Sequence, residues 1–401
     1  VKIEDVEVIN LRFEYAPGGG FVYAGGRVTA RVTSLILVRT DSGLTGIGAA
    51  YSHPDLIRTI VEGNLRAHLV GEDPADIDGI WNKLYGLTRW YGRKGAGVSA
   101  IGGIDIALWD LRGKAARTPV WRLLGAARGV ATAYASGMFW CDDVSALERE
   151  AARHRQRGFR RVKMRLGRSW DYDTEALHAA VRGVGRDGLV HVDGSHRYDD
   201  ATAVRFGAIL ADVGAAWFEE PFPPEDIDRY VALRRDLRVP LAAGENEFGV
   251  QGFRELLRAG AIDIVQADAC RTGGISEVLR VAGLAADAGL QVAPHTWSDA
   301  VSLMANAHVV AALPHGLTVE VDQTGNPFIE ELLAEPLRIS DGSLHLSDAP
   351  GLGVELDAAA LARLTVPRGV TMADGNYSDL VFGRAHYAVA PPYGSTAAEH
   401  A

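Results

Sequence analysis

The stretch Ala216-Trp217-Phe218-Glu219-Glu220-Pro221 places two adjacent carboxylates at the end of a run built for burial, and a proline closes it. A short apolar run bounded by turn signals reads as a buried strand. Acid at its tip makes sense if many such strands end together at one rim. Working outward, "ATAYASG" (from Ala131), "RVKMRLG" (Arg161) and "GLVHVDG" (Gly188) precede it. "PLAAGEN" (Pro240), "DIVQADA" (Asp263), "QVAPHT" (Gln291) and "LTVEVD" (Leu317) follow it. Each gap is long enough for one helix and two loops. Strands that alternate with helices at this period pair in parallel through crossovers. Eight strands with seven helices between them predict a (β/α)7β modified TIM barrel over residues 126–325. A doubly wound open sheet is the competing α/β architecture. It is disfavoured because no Gly-x-Gly-x-x-Gly follows an early strand of this region.

The flanks read differently. Residues 1–125 are mixed: Val6, Val8 and Leu11 open a strand, and Thr33 to Tyr51 reads as two strands around Asp41-Ser42-Gly43. From Pro54 to Gly113 the pattern is helical, and Ile101, Ile104, Leu108 and Leu111 share one apolar face. Tyr15 to Gly26 is a loop rich in glycine and aromatics. It reads either as a mobile surface loop or as a lid that carries Tyr15, Phe21 and Tyr23. Residues 326–401 form a C-terminal segment, and its tail from Ala388 reads as poorly ordered or docked in extended form.

Composition excludes several classes. The 401 residues suggest two or three domains, or one barrel plus additions, and a formal net charge of -10 leaves no basic excess for a nucleic-acid partner. No apolar run is long enough to span a bilayer, and the N-terminus lacks the regions of a signal peptide. Cys141 and Cys270 are too few for a disulfide framework. The expectation is a soluble cytoplasmic protein with a small-molecule substrate.

Seven of the eight runs carry ionisable residues near their ends: Lys163 with Arg165, then Asp193, Glu219, Glu245, Asp268, His295 and Glu320. Each successive interval is about one βα unit, so these residues reach the same rim, and in a barrel of this kind that rim holds the active site. At any single position a solvated, loop-facing charge is the plain alternative. Random placement would not easily give the series. Asp193, Glu219 and Glu245 lie on three consecutive strands, where close carboxylates repel one another. A divalent cation removes the conflict, and all-oxygen ligation fits Mg²⁺. Lys163 and Arg165 face the same side at i, i+2 spacing and supply positive charge for an anionic substrate. Asp268 and His295 end two later neighbouring strands, and a carboxylate on one imidazole nitrogen raises the basicity of the other.

With these residues in place, the chain resembles the enolase superfamily, in particular its mandelate racemase-like branch. Further matches are Ser99 to Ala126 ("SAIGGIDIALWDLRGKAARTPVWRLLGA"), "WFEEP", "GEN" and "GLGVEL". The resemblance implies an α+β capping domain built from the N-terminal part and the C-terminal segment. It implies Asp193, Glu219 and Glu245 as Mg²⁺ ligands, Asp268 and His295 as the catalytic dyad, and a protonated Glu320 that hydrogen-bonds a substrate carboxylate. The loops around Tyr15–Gly26 and Ala49–Pro54 would close the rim, which places Tyr51 and His53, with Trp297, among the substrate-binding candidates. The implied chemistry is abstraction of the proton next to a carboxylate. A dimer or octamer is the implied assembly.

Two departures inform the reading. A racemase of this branch carries Lys-x-Lys on the second barrel strand and uses the second lysine as a base. Here the sequence is Lys163-Met164-Arg165, and arginine stays protonated at any working pH. One credible base remains, His295, which favours an acid sugar dehydratase acting in carbohydrate acid catabolism. The alternatives are a racemase or epimerase, a cycloisomerase, or a catalytically silent ligand-binding barrel. The second departure is Asp193-Gly194-Ser195-His196, where relatives often have Asp-x-Asn. His196 reads as a solvent-facing loop residue, or else as an extra acid contacting substrate that would make the elimination anti. Glu220, next to a ligand on an alternating strand, is expected to point away and form a structural ion pair.

Overall fold

The computed structural model describes residues 1–24, 26–372, 380–386 and 392–395. Four strands come first: β1 (Ile3–Glu14), β2 (Phe21–Tyr23), β3 (Gly26–Thr40) and β4 (Thr45–Ala50). β1 and β4 pair antiparallel with β3 on either side, with Val8 opposite Ile36 and Ile47 opposite Leu37. The apolar alternation of β1 turns Val6 and Val8 into a core with Ile36, Val38 and the helix Ala96–Ala115. The predicted face of Ile101, Ile104, Leu108 and Leu111 lies in that core. The helix presses close to the sheet because β4 carries glycine at the contact. A Cβ on Gly48 would stand 1.9 Å from the Gly103 carbonyl oxygen, and one on Gly46 2.1 Å from that of Ala107.

The barrel strands are β5 (Val130–Ser136), β6 (Arg161–Arg165), β7 (Leu189–Asp193), β8 (Trp217–Glu219), β9 (Leu241–Ala243), β10 (Ile264–Val265), β11 (Gln291–Val292) and β12 (Val319–Asp322). Neighbours pair in parallel from β5 through β11, and β12 returns to β5 with Glu320 opposite Tyr134. A bridge between Val292 and Gly316 closes the ring, where the Leu317 N–H donates to the Val292 carbonyl at 2.7 Å. Crossover helices separate the strands. Several start at side-chain caps: Asp199 accepts from the Thr202 N–H at 2.8 Å and Asp299 from the Ser302 N–H at 2.9 Å. The floor of the barrel is plugged by Tyr134, Trp217, Ala242, Ile264 and Ala293. Chemistry is therefore left to the strand C-termini.

Past the barrel, β13 (Arg338–Ser340) and β14 (Ser343–His345) form a hairpin, and β14 pairs antiparallel with β5. β15 (Leu380–His386) pairs antiparallel with β3 and adds a strand to the first sheet. Of the expected tail, residues 388–391 and 396–401 lie outside the described residues. The described turn 392–395 docks on the barrel, where the Tyr393 hydroxyl donates to Asp173 at 3.0 Å and Arg197 donates to the Pro392 carbonyl at 2.6 Å. Among the described residues no helix is long and apolar enough to cross a membrane. Both cysteines are free thiols.

Candidate active site

The strand ends bring Lys163, Arg165, Asp193, Glu219 and Glu320 into one buried network. Lys163 Nζ lies 2.6 Å from Glu219 Oε1 and 2.9 Å from Glu320 Oε1. Burial alone would lower the lysine pKa, but these two carboxylates hold it above the usual range and keep it charged. Arg165 Nη1 donates to Ser136 Oγ at 2.7 Å, and its Nε lies 3.2 Å from Asp193 Oδ2. The guanidinium stacks on the rings of Trp297 and Phe139 at 4.5 and 5.0 Å. Ser136 ends the one barrel run with no ionisable residue. Its polar side chain at that position was the available signal for its role.

Glu219 also accepts from the Trp217 indole at 2.8 Å. Its carboxyl is pushed up to about 8, chiefly by burial; Asp193, Glu245 and Glu320 add to the rise while Lys163 opposes it. Glu320 lies among cations. Burial would raise its pKa, but Lys163, His295, Arg165 and the Ser136 hydroxyl hold the carboxyl well below the usual range, which opposes the protonated state that the resemblance implies. It accepts from Ser136 Oγ at 2.5 Å and from the Thr296 N–H at 3.1 Å.

Asp193 and Glu219 are register partners on β7 and β8, while Glu245 stands two residues past the end of β9. Among the described residues no group of three or more His, Cys, Asp or Glu side chains is gathered as a cation cage. Lys163 and Arg165 take up oxygens of Glu219 and Asp193 instead. The donor chemistry does fit a hard divalent ion. The set is all carboxylate, crowded enough that neighbours raise Glu219, and it comes from three consecutive strands.

Two imidazoles flank this network. His295 Nδ1 is 2.9 Å from Asp268 Oδ2, and its Nε2 faces Glu245 Oε2 at 3.8 Å. Burial would lower this imidazole, but Glu245, the Asp268 hydrogen bond and Glu320 raise it to about 9. His196 Nε2 lies 2.5 Å from Glu220 Oε2. Burial opposes its charge as well, but Glu220 raises it to about 9. The ion pair expected of Glu220 is thus made to His196. The alternating strand expected to direct it stops at Glu219, and Glu220 adopts φ 32°. Ser195 and His196 also lie in the left-handed region, at φ 52° and 62°. That backbone turns the ring back onto Glu220.

The aromatic loop forms β2 rather than remaining irregular. Phe21 stacks on Phe139 at 4.1 Å and meets Trp297 edge-on at 6.1 Å, and the Trp140 N–H donates to the Val22 carbonyl at 3.0 Å. Tyr23 packs against Phe139, and the Tyr15 hydroxyl is 3.2 Å from Thr324 Oγ1. Tyr51 meets His295 edge-on at 5.4 Å. Trp297 is 3 % exposed and lies between the guanidiniums of Arg165 and Arg31, so it supports Arg165 rather than lining open space. His53 is not drawn in: its Nδ1 accepts from the Asp55 N–H at 3.2 Å and caps the helix Pro54–Ile60.

The arrangement is a plugged parallel barrel with charged strand ends beside an α+β lobe. Residues 15–125 match the family described as mandelate racemase / muconate lactonizing enzyme, N-terminal domain, and residues 146–360 match the enolase C-terminal domain-like family. The chain belongs to the enolase superfamily. The D-galactarolactone cycloisomerase of Agrobacterium fabrum is 34% identical over 359 residues, covering 86% of this chain and 95% of that protein. The arabinonate dehydratase of Saccharolobus solfataricus is 34% identical over 321 residues, covering 79% of this chain and 86% of that one. Among solved structures, the L-talarate/galactarate dehydratase of Salmonella typhimurium LT2, liganded with Mg and L-lyxarohydroxamate, has a TM-score of 0.83 at 30% identity. That match covers 91% of this chain and 93% of its own.

Proposed function

We propose that this protein is an Mg²⁺-dependent acid sugar dehydratase that converts an aldonic or aldaric acid to a 2-keto-3-deoxy acid. The observation that carries the reading is an imidazole whose nitrogens are unequally engaged: His295 holds Nδ1 2.9 Å from Asp268 and turns Nε2 toward Glu245 at 3.8 Å, beyond hydrogen-bond distance. The second position at which a base would serve racemisation is Arg165, which cannot give up its proton.

Mg²⁺ held by Asp193, Glu219 and Glu245 would polarise the substrate carboxylate as a Lewis acid. Around that site, Lys163 and Arg165 set positive charge where the carboxylate turns into an enolate. Such donors act on the transition state more than on the substrate. Glu320, as a carboxylate, anchors Lys163 and Arg165 rather than donating a proton. His295 Nε2 removes the α-proton, and Asp268 steadies the imidazolium that results. The same proton then goes to the departing β-hydroxyl. The C2–H and C3–O bonds break, water leaves, and the enol tautomerises to the ketone.

The test is incubation of a library of aldonic and aldaric acids with the protein and Mg²⁺, with semicarbazide detection of keto acids. If no member yields a keto acid, the proposal fails. Similarity to a lactone cycloisomerase favours a second reading, in which the same proton abstraction serves ring isomerisation. Conversion of a lactone without formation of a keto acid would select it. Deuterium exchange with inversion in recovered substrate would instead select an epimerase. We assign the protein to the cytoplasm as a homo-oligomer, dimer or octamer, which sedimentation of the purified chain tests.

A further inference from the structure

Arg271 is a cation at the mouth that the proposed chemistry does not use. It follows Asp268 by three residues and lies on the seam between the barrel and the first sheet. Its carbonyl accepts from Ser99 Oγ at 3.5 Å, and the preceding carbonyl, of Cys270, accepts from the Tyr51 N–H at 2.9 Å. The guanidinium lies over the rings of Tyr51 and Phe248 at 4.8 and 5.2 Å. Tyr51 in turn meets His295. On the other flank Arg271 Nη2 donates to Asn246 Oδ1 at 2.7 Å, and Asn246 Nδ2 donates to Glu220 Oε2 at 2.7 Å. Arg271 therefore touches the residue beside Glu245 directly, and is one side chain away from the base and from Glu220, the residue beside Glu219.

Its charge differs from that of three other arginines of the barrel and its lid. Arg165 faces Asp193, Arg31 faces Asp322 and Arg168 faces Asp142. Among the described residues no carboxylate pairs with Arg271, and its polar contact is a neutral amide. Its Nε is buried without an acceptor. A guanidinium never loses its proton, so a half-buried one with no counter-ion is costly to keep. The rings hold it flat and in place, which reduces the entropy lost when a planar anion docks on its fork.

We propose that Arg271 binds the distal carboxylate of a dianionic acid sugar, so that this protein selects aldaric over aldonic acids. The inference rests on the dehydratase reading. One carboxylate meets Lys163 and Arg165 below, the C2 hydrogen faces His295, and the far carboxylate takes up the unbonded donors of Arg271. An aldonate, with a terminal hydroxymethyl group, leaves the guanidinium without a counter-ion. A site with a buried polar group left unpaired rejects the ligand that fails to match it.

The test measures kcat/KM on matched aldonate and aldarate pairs of the same configuration, with Mg²⁺, for the wild type, Arg271→Met and Arg271→Lys. The wild type should favour the diacid. Arg271→Met should lower the aldarate-to-aldonate ratio roughly 10- to 100-fold, mainly through KM, as expected for loss of a charge-assisted hydrogen bond. Arg271→Lys, which keeps charge but loses the fork, should fall between. A ratio unchanged in Arg271→Met overturns the assignment even if both activities drop. Should that variant not fold, the Arg271→Lys ratio decides in the same way. If the wild type converts no member of any pair, it is the dehydratase reading that fails. Calorimetric titration of the same pairs with Mg²⁺ then tests the diacid site by itself, and aldarate binding no tighter than aldonate overturns it.

Discussion

The mouth of the barrel holds two histidine–carboxylate pairs that differ in use. In both, a carboxylate raises the imidazole to about 9. His295 spends its inner nitrogen on Asp268 and leaves Nε2 at the mouth, with its side chain 4 % exposed. His196 spends Nε2 itself on Glu220 and stays 35 % exposed, on a backbone turned into the left-handed region. Raised basicity is thus common to both, but Nε2 of His196 is held by Glu220 at 2.5 Å while Nε2 of His295 stands 3.8 Å from Glu245. On the proposed function, the difference teaches that orientation of the ring, rather than its affinity for a proton, separates a base from an ion pair.

The comparison breaks most sharply at the base. His295→Asn should lower both α-proton exchange and keto-acid formation by at least about 10³-fold, while His196→Asn should cost about 10-fold or less. Abolition of exchange in His196→Asn, measured by mass spectrometry of substrate in D₂O, would reverse the roles given to the two rings. Removal of metal by a chelator should lower turnover at least about 10²-fold, with recovery on adding Mg²⁺. Asp268→Asn should cost about 10²-fold in kcat, because the imidazolium loses its counter-charge and the ring loses its fixed tautomer.

Smaller effects sharpen the contrast. Glu245 is the largest influence that raises His295, whereas Glu220 holds that place for His196. Titration of the metal-free protein followed by ring ¹⁵N shifts should place both imidazoles near 9. A cation at Glu245 should then lower His295 more than His196. A base must be neutral to act, so turnover should rise with pH up to the lowered His295 value. Equal movement of the two rings would remove Glu245 as the cause.

The smallest effect concerns stability. His196 is raised above its unfolded value near 6.5, so its pairing stabilises the fold fully below that pH and is lost as pH rises through about 9. Glu220 is lowered, with burial opposing and His196 prevailing, so its share is present above the usual glutamate range and is lost as pH falls through the depressed value. Because the His196 ring is part-exposed and screened, His196→Ala should cost no more than about 1 kcal/mol near neutral pH. That deficit should shrink above about 9, as thermal unfolding across pH would reveal.

Much of this was legible in the sequence, for a physical reason. A barrel repeats its strand-helix unit at a nearly fixed length, so Lys163, Asp193, Glu219, Glu245, Asp268, His295 and Glu320 reach one rim by counting alone. What counting does not give is which side chain meets which. Arg165 reaches Asp193 through a rotamer fixed by Phe139 and Trp297, residues remote in sequence. The His196–Glu220 pair needs three non-glycine residues at positive φ, which local propensity argues against. The charge state of Glu320 depends on cations from two other elements, and His53 was lost to a helix cap that any loop histidine ahead of Pro54 is placed to make. Arg271 gave no signal at all, since what marks it is a combination of contacts, the rings of Tyr51 and Phe248 with the amide of Asn246, that only the fold assembles.

The pairing of β15 with β3 has a consequence for how the protein is made. Residues 380–386 complete a sheet whose other strands all lie within the first 50 residues. During synthesis that edge of β3 waits, unpaired, while more than three hundred intervening residues leave the ribosome. An open edge of this kind invites association with other chains. A strand that emerges late is therefore also the chain's protection against clumping, and a premature stop before Leu380 would leave that edge permanently bare.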